Sequence, residues 1–584
     1  MKLRLLRPFA GGLTLATAAA LASTPAEACG GFFCSQQQPV NQAAERIIFA
    51  DNGDGTITAV IQILYEGPSE NFSWLLPIST VPNGDELALA SDLAFQRLQL
   101  ATNPQYNLTT RVEGTCRSPS SNTSRGDSIA VPRETCGDNA LLAGCGVLVP
   151  DDPAAVNVEA SGTVGAFEWT VLSVDPALAK PADATLEWLT NNGYDVTPGA
   201  NALIAPYLMD GMYLLALRLT KGSDTGAIRP IQLTYAAAAP MIPIKLTAVA
   251  ANEDMGVMTW ALANARAVPF NYSALELNEA RINWFNAAAN YNQVVTEAAN
   301  DSGGQGFVTE FAGPSAQLAN VIWQESDESS WQGLQNGTYS SFSQIFERLY
   351  SQYQAWDGFW EATRKAVTLP TGISFENFRL CPGCYAKDVS FLPTELLAAV
   401  EADVIEPMRS VQRLIDRNSY ATRLYSTLSA SDMILDPVFV FNPDLPDVNN
   451  VHQAERVTEC SQAFLEFEAP WRIDFPQGTV IRGTPQDVGQ WPTEVDQQPA
   501  NFRVVSLAAS GEGVVVADNG EVINQLLGDY NAAVVPVGTD LMQSGGGACA
   551  LSPLGRYGRR APAALGAGLW GLLGLALLRR RAKG

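Results

Sequence analysis

The sequence predicts an α+β fold: a β-rich N-terminal domain, a helical middle region, a smaller β-containing C-terminal part and a C-terminal transmembrane helix. Three observations carry this. Alternating and β-branched runs crowd residues 45–262. Apolar residues then recur at helical spacing between 275 and 428. Strand-like runs return after Asp436-Pro437, and an uncharged run, Ala561 to Leu578, is just long enough to cross a bilayer. With 584 residues, 47% of them apolar and 16% charged, the chain is too long for one ordinary core and too apolar for disorder. The expected divisions are 1–28, 29–270, 271–430, 431–530, a linker at 531–548 and a tail at 549–584.

Residues 1–28 read as a signal peptide. Lys2, Arg4 and Arg7 precede an alanine-rich apolar run, and Ala26-Glu27-Ala28 supplies the small-x-small pattern read by signal peptidase. Cleavage between Ala28 and Cys29 is expected. The tail mirrors this start. A Gly545-Gly546-Gly547 linker leads to Cys549, then to the apolar run 561–578, then to Arg579, Arg580, Arg581 and Lys583. A basic cluster stays on the cytoplasmic side, which leaves the body outside.

In the first domain, Glu45–Ala50 and Ile57–Tyr65 flank an Asp-Asn-Gly-rich stretch and read as a hairpin. The stretch lacks the alternating ligands of a calcium loop and reads as a turn. Phe72–Pro77 follows as a strand. Residues 103–150 are polar, hold three cysteines and read as a disulfide-pinned loop. Phe167–Val174 is a strand, and Ala184–Asn192 and Asn201–Asp210 are helices, the first stopped by Gly193. Strands are expected at Tyr213–Thr220, Ile228–Tyr235, Ile242–Val249 and Val257–Leu262. Helices are expected at 275–299, 314–325, 339–367, 393–418 and 419–428, with Trp323, Trp331, Trp356 and Trp360 as core. Strands follow at 438–441, 464–468, 503–507 and 513–517.

Cysteines number nine, and Cys549 belongs to the tail. The remaining eight, Cys29, Cys34, Cys116, Cys136, Cys145, Cys381, Cys384 and Cys460, are disulfide candidates in an exported chain. Local pairings would join Cys29 to Cys34, two of the 116/136/145 group, and Cys381 to Cys384, with Cys460 reaching further. The Cys381-Pro-Gly-Cys384 spacing also suits thiol exchange. Asp444, Asp447, Asn449 and Asn450 lie in a loop whose oxygens suit calcium, although the same residues build turns. No other cofactor is implied.

Chemistry is otherwise sparse. One histidine, His452, excludes multi-histidine metal sites and leaves one imidazole base. Nucleophile-elbow and phosphate-loop motifs are missing. Once the basic ends are set aside, the body carries a net charge near −33, which repels nucleic acid.

The start Ala28-Cys29-Gly30-Gly31-Phe32-Phe33-Cys34, with Pro39-Val40-Asn41-Gln42-Ala43-Ala44-Glu45-Arg46-Ile47, resembles the mature start of a bacterial family called domain of unknown function 2330. Phe72–Ile78 and Phe167–Tyr194 resemble it too, so the likeness spans residues 28–270. The tail resembles myxobacterial surface-sorting tails. That likeness implies that Cys549 is kept after cleavage by a tail-processing protease, although Ala-Cys-Ala replaces the usual Cys-Gly-Cys. The family implies location and layout, not chemistry. The reading is therefore an extracytoplasmic envelope or surface-anchored protein, structural or ligand-binding, of unstated ligand. The alternative is an extracytoplasmic enzyme, either a carboxylate hydrolase or a Cys381/Cys384 thiol-disulfide exchanger.

Overall fold

The computed structural model describes residues 41–66, 73–117, 156–194, 199–219, 229–249, 251–324, 332–333, 336–337, 341–353, 357–487 and 491–534. They form a mixed α+β body. A ten-stranded sheet runs in spatial order β22 (Val514–Asp518), β21 (Asn501–Ser506), β12 (Ser273–Leu277), β13 (Gly306–Pro314), β16 (Tyr420–Leu428), β10 (Ala251–Ala263), β1 (Asn41–Asp51), β2 (Thr56–Glu66), β9 (Ile231–Ala236) and β4 (Leu87–Leu89). One four-stranded sheet runs β3 (Ser73–Ile78), β8 (Tyr213–Leu219), β7 (Phe167–Val174), β6 (Val156–Val164). Another runs β20 (Val480–Gly483), β19 (Trp471–Asp474), β18 (Val451–Cys460), β5 (Gln105–Gly114). Two ribbons pair β11 (Arg266–Pro269) with β17 (Phe439–Asn442) and β14 (Val367–Thr368) with β15 (Ser390–Phe391).

The large sheet is buried on both faces, which explains why its central strands read as nearly continuous apolar runs. Along β1, Ile48 and Ala50 face α1 (Asp92–Thr102) and the helices Phe342–Tyr353, Asp357–Ala366 and Glu406–Arg417. Ile47 and Phe49 face the other way, onto Trp74, Leu76, Phe167 and Leu217 of the first four-stranded sheet. That sheet turns Leu75, Leu172 and Leu214 outward, under α2 (Pro181–Asn191) and α3 (Ala200–Met209). The layers are thus helix, sheet, sheet, helix.

Several expectations need correction. Ile242–Val249 is not a strand but contains a short helix, α4 (Ile244–Thr247); Pro240 and Pro243 have no N–H to give a ladder. The expected loop 103–150 begins with β5, which runs parallel to β18 from Gln105↔Val451 to Gly114↔Cys460. The segments at 275–299 and 419–428 supply β12 and β16, between which lies β13; a helix, α5 (Tyr291–Asp301), occupies only the end of the first. Tyr420–Leu428 holds two Tyr and two Thr, and pairing on both edges outweighs its accidental helical spacing. Residues 464–468 hold a 3-10 turn, Glu466–Glu468, rather than a strand. The helix Gly520–Ala533 runs past the expected linker start at 531. Because the large sheet takes strands from all three regions, the divisions at 270 and 430 cut through a single sheet. No helix among the described residues is long and apolar enough to cross a membrane. The run 561–578 lies outside them, as do residues 1–28 and the tail.

Candidate ligand-binding site

Four adjacent strands of the large sheet, β13, β16, β10 and β1, carry a polar floor on its helical face. Arg46 shares that face of β1 with Ile48, and Arg423 and Tyr425 share that face of β16 with Ala421. Gly256 and Met258 of β10 lie between them. Glu310 arrives through a β-bulge. Thr309 pairs with Leu424 and Phe311 with Arg423, so Glu310 is the extra residue. A bulge lets one strand turn successive side chains to one face. Glu310 meets Arg423, while Phe311 still enters the core. The cavity above holds about 380 Å³. Its walls are Gln99 and Asn103 near the end of α1, Tyr106 on β5, and Ala287, Ala288, Tyr291 and Asn292 around the start of α5.

Arg423 and Glu310 form an ion pair with side chains 2% and 1% exposed, Nε to Oε2 at 2.5 Å, close but not aligned as a hydrogen bond. Arg423 Nη1 donates to Gln99 O at 3.1 Å, Thr102 Oγ1 at 3.1 Å and Asn103 Oδ1 at 2.8 Å. The guanidinium also lies over the Trp260 ring, 5.5 Å from its centroid. The Tyr291 hydroxyl donates to Glu310 Oε1 at 2.7 Å. Burial raises the Glu310 carboxyl above its ordinary 4.5, with Arg423 opposing the shift. Burial likewise raises the Tyr106 and Tyr291 phenols well above 10 and pushes Tyr425 up to about 12. All three tyrosines therefore remain protonated donors at neutral pH.

Arg46 differs from Arg423. Its Nη1 donates to Gln62 Oε1 at 3.4 Å, and it makes no ion pair among the described residues. Gln62 Nε2 donates in turn to the half-buried Asp92 Oδ1 at 2.8 Å, so an amide stands between the guanidinium and that acid. Burial and the neighbouring Arg423 lower the Arg46 pKa, but a guanidinium keeps its charge.

Behind Tyr106 sits His452, stacked on it with centroids 4.5 Å apart and planes 10° off parallel. His452 Nδ1 lies 2.7 Å from Glu279 Oε1. The wall at α5 is strained: Ala287 and Ala288 both adopt positive φ, 43° and 58°. Each such alanine costs about 1–2 kcal/mol. Asparagines hold the loop: Asn290 Nδ2 donates to Arg281 O at 2.8 Å, Asn290 Oδ1 accepts from Asn283 N, and Asn283 O accepts from Ala288 N at 3.0 Å. Backbone strain kept at a cavity wall is a common mark of a binding site.

Glu310 has both oxygens engaged, by Arg423 and Tyr291, and Glu279 is engaged by His452. The cavity lining carries the guanidiniums of Arg46 and Arg423, the phenols of Tyr106, Tyr291 and Tyr425 and the amides of Gln99, Asn103 and Asn292, beside the carboxylates of Glu45 and Glu310.

Of the residues singled out in the sequence, His452 lies behind the cavity wall, and the cysteines and the acidic loop do not line the cavity. Cys116 pairs with Cys460, 344 residues away, rather than within the 116/136/145 group, and joins the ends of β5 and β18. Cys381 pairs with Cys384 at an exposed helix junction. Asp444, Asp447 and Asn449 serve separate partners: Gly511 N at 2.8 Å, the Tyr420 hydroxyl at 2.6 Å and Val451 N at 2.9 Å. Asn450 Nδ2 donates to Asn103 O at 2.9 Å. Among the described residues, no group of three or more His, Cys, Asp or Glu is placed to hold a metal. Ala28, Cys29, Cys34, Cys136, Cys145, Cys549 and Arg579–Arg581 lie outside the described residues. Arg46, Glu310 and Arg423 were not foreseen as site residues. The usable signal was a lone charge inside an otherwise strand-like run, as in Phe307-Val-Thr-Glu310-Phe-Ala and Ala421-Thr-Arg423-Leu-Tyr.

No curated protein and no solved structure matches the chain. A family model described as uncharacterized protein conserved in bacteria (DUF2330) matches residues 23–321, which include Arg46, Tyr106, the strained alanines and Glu310, while Arg423, Tyr425 and His452 lie beyond it. The match spans just over half of the sequence, and the chain belongs to this bacterial family.

Proposed function

We propose that this is an exported envelope protein whose body binds a small polar ligand rich in acceptor oxygens. The observation that carries the reading is Arg46, a cation on a cavity floor with no ion pair among the described residues, in a lining that also includes Tyr106, Tyr291 and Tyr425. The cavity volume fits a ligand of modest size. Export rests on the signal-like residues 1–28 with cleavage by signal peptidase before Cys29, and on the disulfides of the body, which favour an oxidising space. Membrane attachment rests on the tail, with a transmembrane helix at 561–578 and Arg579–Arg581 inside, or with processing at Cys549 by a tail protease. The body's negative charge argues against nucleic acid as a partner.

The test for binding is calorimetry of the mature protein against small carboxylates, phosphates and neutral sugars. A ligand of this cavity should lose at least tenfold in affinity in Arg46→Gln and in Tyr106→Phe. The reading fails when every ligand found keeps its affinity in both variants. For export, intact-mass measurement of the protein from cells should show a chain beginning at Cys29; an unprocessed Met1 terminus would overturn that part.

A further inference from the structure

A second cavity, of about 310 Å³, lies between the large sheet and the first four-stranded sheet. Its character is the opposite of the polar site. Ile47 and Phe49 line it from one sheet, Leu76 and Ile78 from the other, and Met212 and Met241 close its sides. The space exists because of one stretch of sequence. Ala236-Ala237-Ala238-Ala239 lines the cavity where longer side chains would fill it. Ser79 and Ala238 are exposed and mark its mouth.

Protein interiors leave few voids larger than a water molecule. An empty apolar void forfeits dispersion contacts along its walls, and water gains few partners inside one. A space of this size opening at the surface is therefore shaped for a guest. Its lining also defines that guest. Among the described lining residues Glu45 is the one charged group, and none is Lys, Arg or His. A buried anionic head would find no cation here, so the enclosed part must be uncharged. The two methionines, flexible and polarizable, suit a guest of variable shape. An apolar cavity of about 150 Å³ takes benzene, so this one takes a chain of roughly ten to twelve carbons.

We propose that the cavity between the sheets binds an alkyl or acyl chain, with any headgroup left in solvent beside Ser79 and Ala238. A free chain and a chain of a membrane lipid present the same chemistry here, and the test separates the two sources.

The mature protein, stripped of lipid on a hydrophobic resin, is titrated with N-phenyl-1-naphthylamine, a neutral apolar dye. A saturable one-to-one fluorescence gain is expected, displaced by dodecanol. Displacement by laurate marks a free chain as the source, and displacement by dihexanoyl phosphatidylcholine a lipid; both outcomes support the site. Ala237→Leu and Ala239→Leu, which fill the space, should each weaken dye binding at least tenfold while the melting temperature holds or rises. Arg46→Gln should leave dye binding unchanged, so this site and the polar one stand or fall separately. A photoreactive dodecanol should label peptides containing Ile47–Phe49, Leu76–Ser79 or Ala236–Met241, a readout that needs no variant. Unsaturable dye uptake, unchanged affinity in the folded filled variants, or labelling confined to other peptides would overturn the proposal.

Discussion

Replacing Arg423 with Met should make the stability of this protein depend on pH through a single acid. The substitution keeps the volume apolar but leaves Glu310, 1% exposed at its side chain, without its cation. A buried carboxylate in that position takes a proton instead of staying charged. Holding a proton at a pH above 4.5, the ordinary value for Glu, costs about 1.36 kcal/mol per pH unit. The cost is therefore capped at about 3.4 kcal/mol at pH 7 and about 0.7 kcal/mol at pH 5. Losing the donor to Gln99 O, Thr102 and Asn103 adds about 1–2 kcal/mol that does not vary with pH. The sign follows from the raised folded-state pKa: stability is full below 4.5 and is lost as pH rises through the folded value. Even the native pair shares this direction, since burial outweighs Arg423 in setting the Glu310 pKa. Urea unfolding at pH 5 and pH 7, read by tryptophan fluorescence, should show the variant's deficit shrinking in acid. Adding Glu310→Gln should remove that pH dependence. A deficit equal at both pH values, or larger at pH 5, would mean that Glu310 does not take up a proton when Arg423 is lost.

Three further outcomes are expected. Cys116→Ser should cost up to about 5 kcal/mol in urea unfolding, because its bond to Cys460 closes a loop of 344 residues, whereas Cys381→Ser opens only the tiny loop closed by Cys384 and should cost about 2 kcal/mol or less. Gly114→Ala should destabilise by more than 3 kcal/mol: its φ is +84°, and the new methyl would lie 2.2 Å from the Cys460 carbonyl oxygen. Ala288→Gly should raise the melting temperature, with about 0.5–1 kcal/mol gained, since relief of left-handed strain exceeds glycine's entropic cost; affinity for any ligand of the polar cavity should fall as that wall loosens.

Local pattern showed the first hairpin, β7, α2 and β8 in the sequence, because each one carries its own turn or cap signal. The turn at 51–56 is a case in point: Asp51 Oδ1 accepts from Gly53 N and Asp54 Oδ1 from Thr56 N, contacts made within a few residues. Strands β5, β12, β13 and β16 were not legible, since what makes them strands is a partner far away. β5 pairs with β18 across more than three hundred residues, and nothing near Gln105 announces it. The polar cavity was hidden for the same reason. Arg423 and Glu310 lie more than a hundred residues apart, and only the β13–β16 register with its bulge brings them into contact. Attention to cysteines, histidine and acidic loops favours residues whose chemistry is conspicuous alone, whereas this site is made by juxtaposition.

The position of β1 has a consequence for how the molecule is made. It pairs with β2 within a few residues, but its other edge waits for β10, about two hundred residues later, and β10 in turn waits for β16. A nascent chain would carry an open apolar strand edge through most of its synthesis, and Cys116 would stay exposed to wrong thiols until Cys460 emerges. Such a chain should depend on holding chaperones and on disulfide reshuffling, and its yield should drop first when either is scarce.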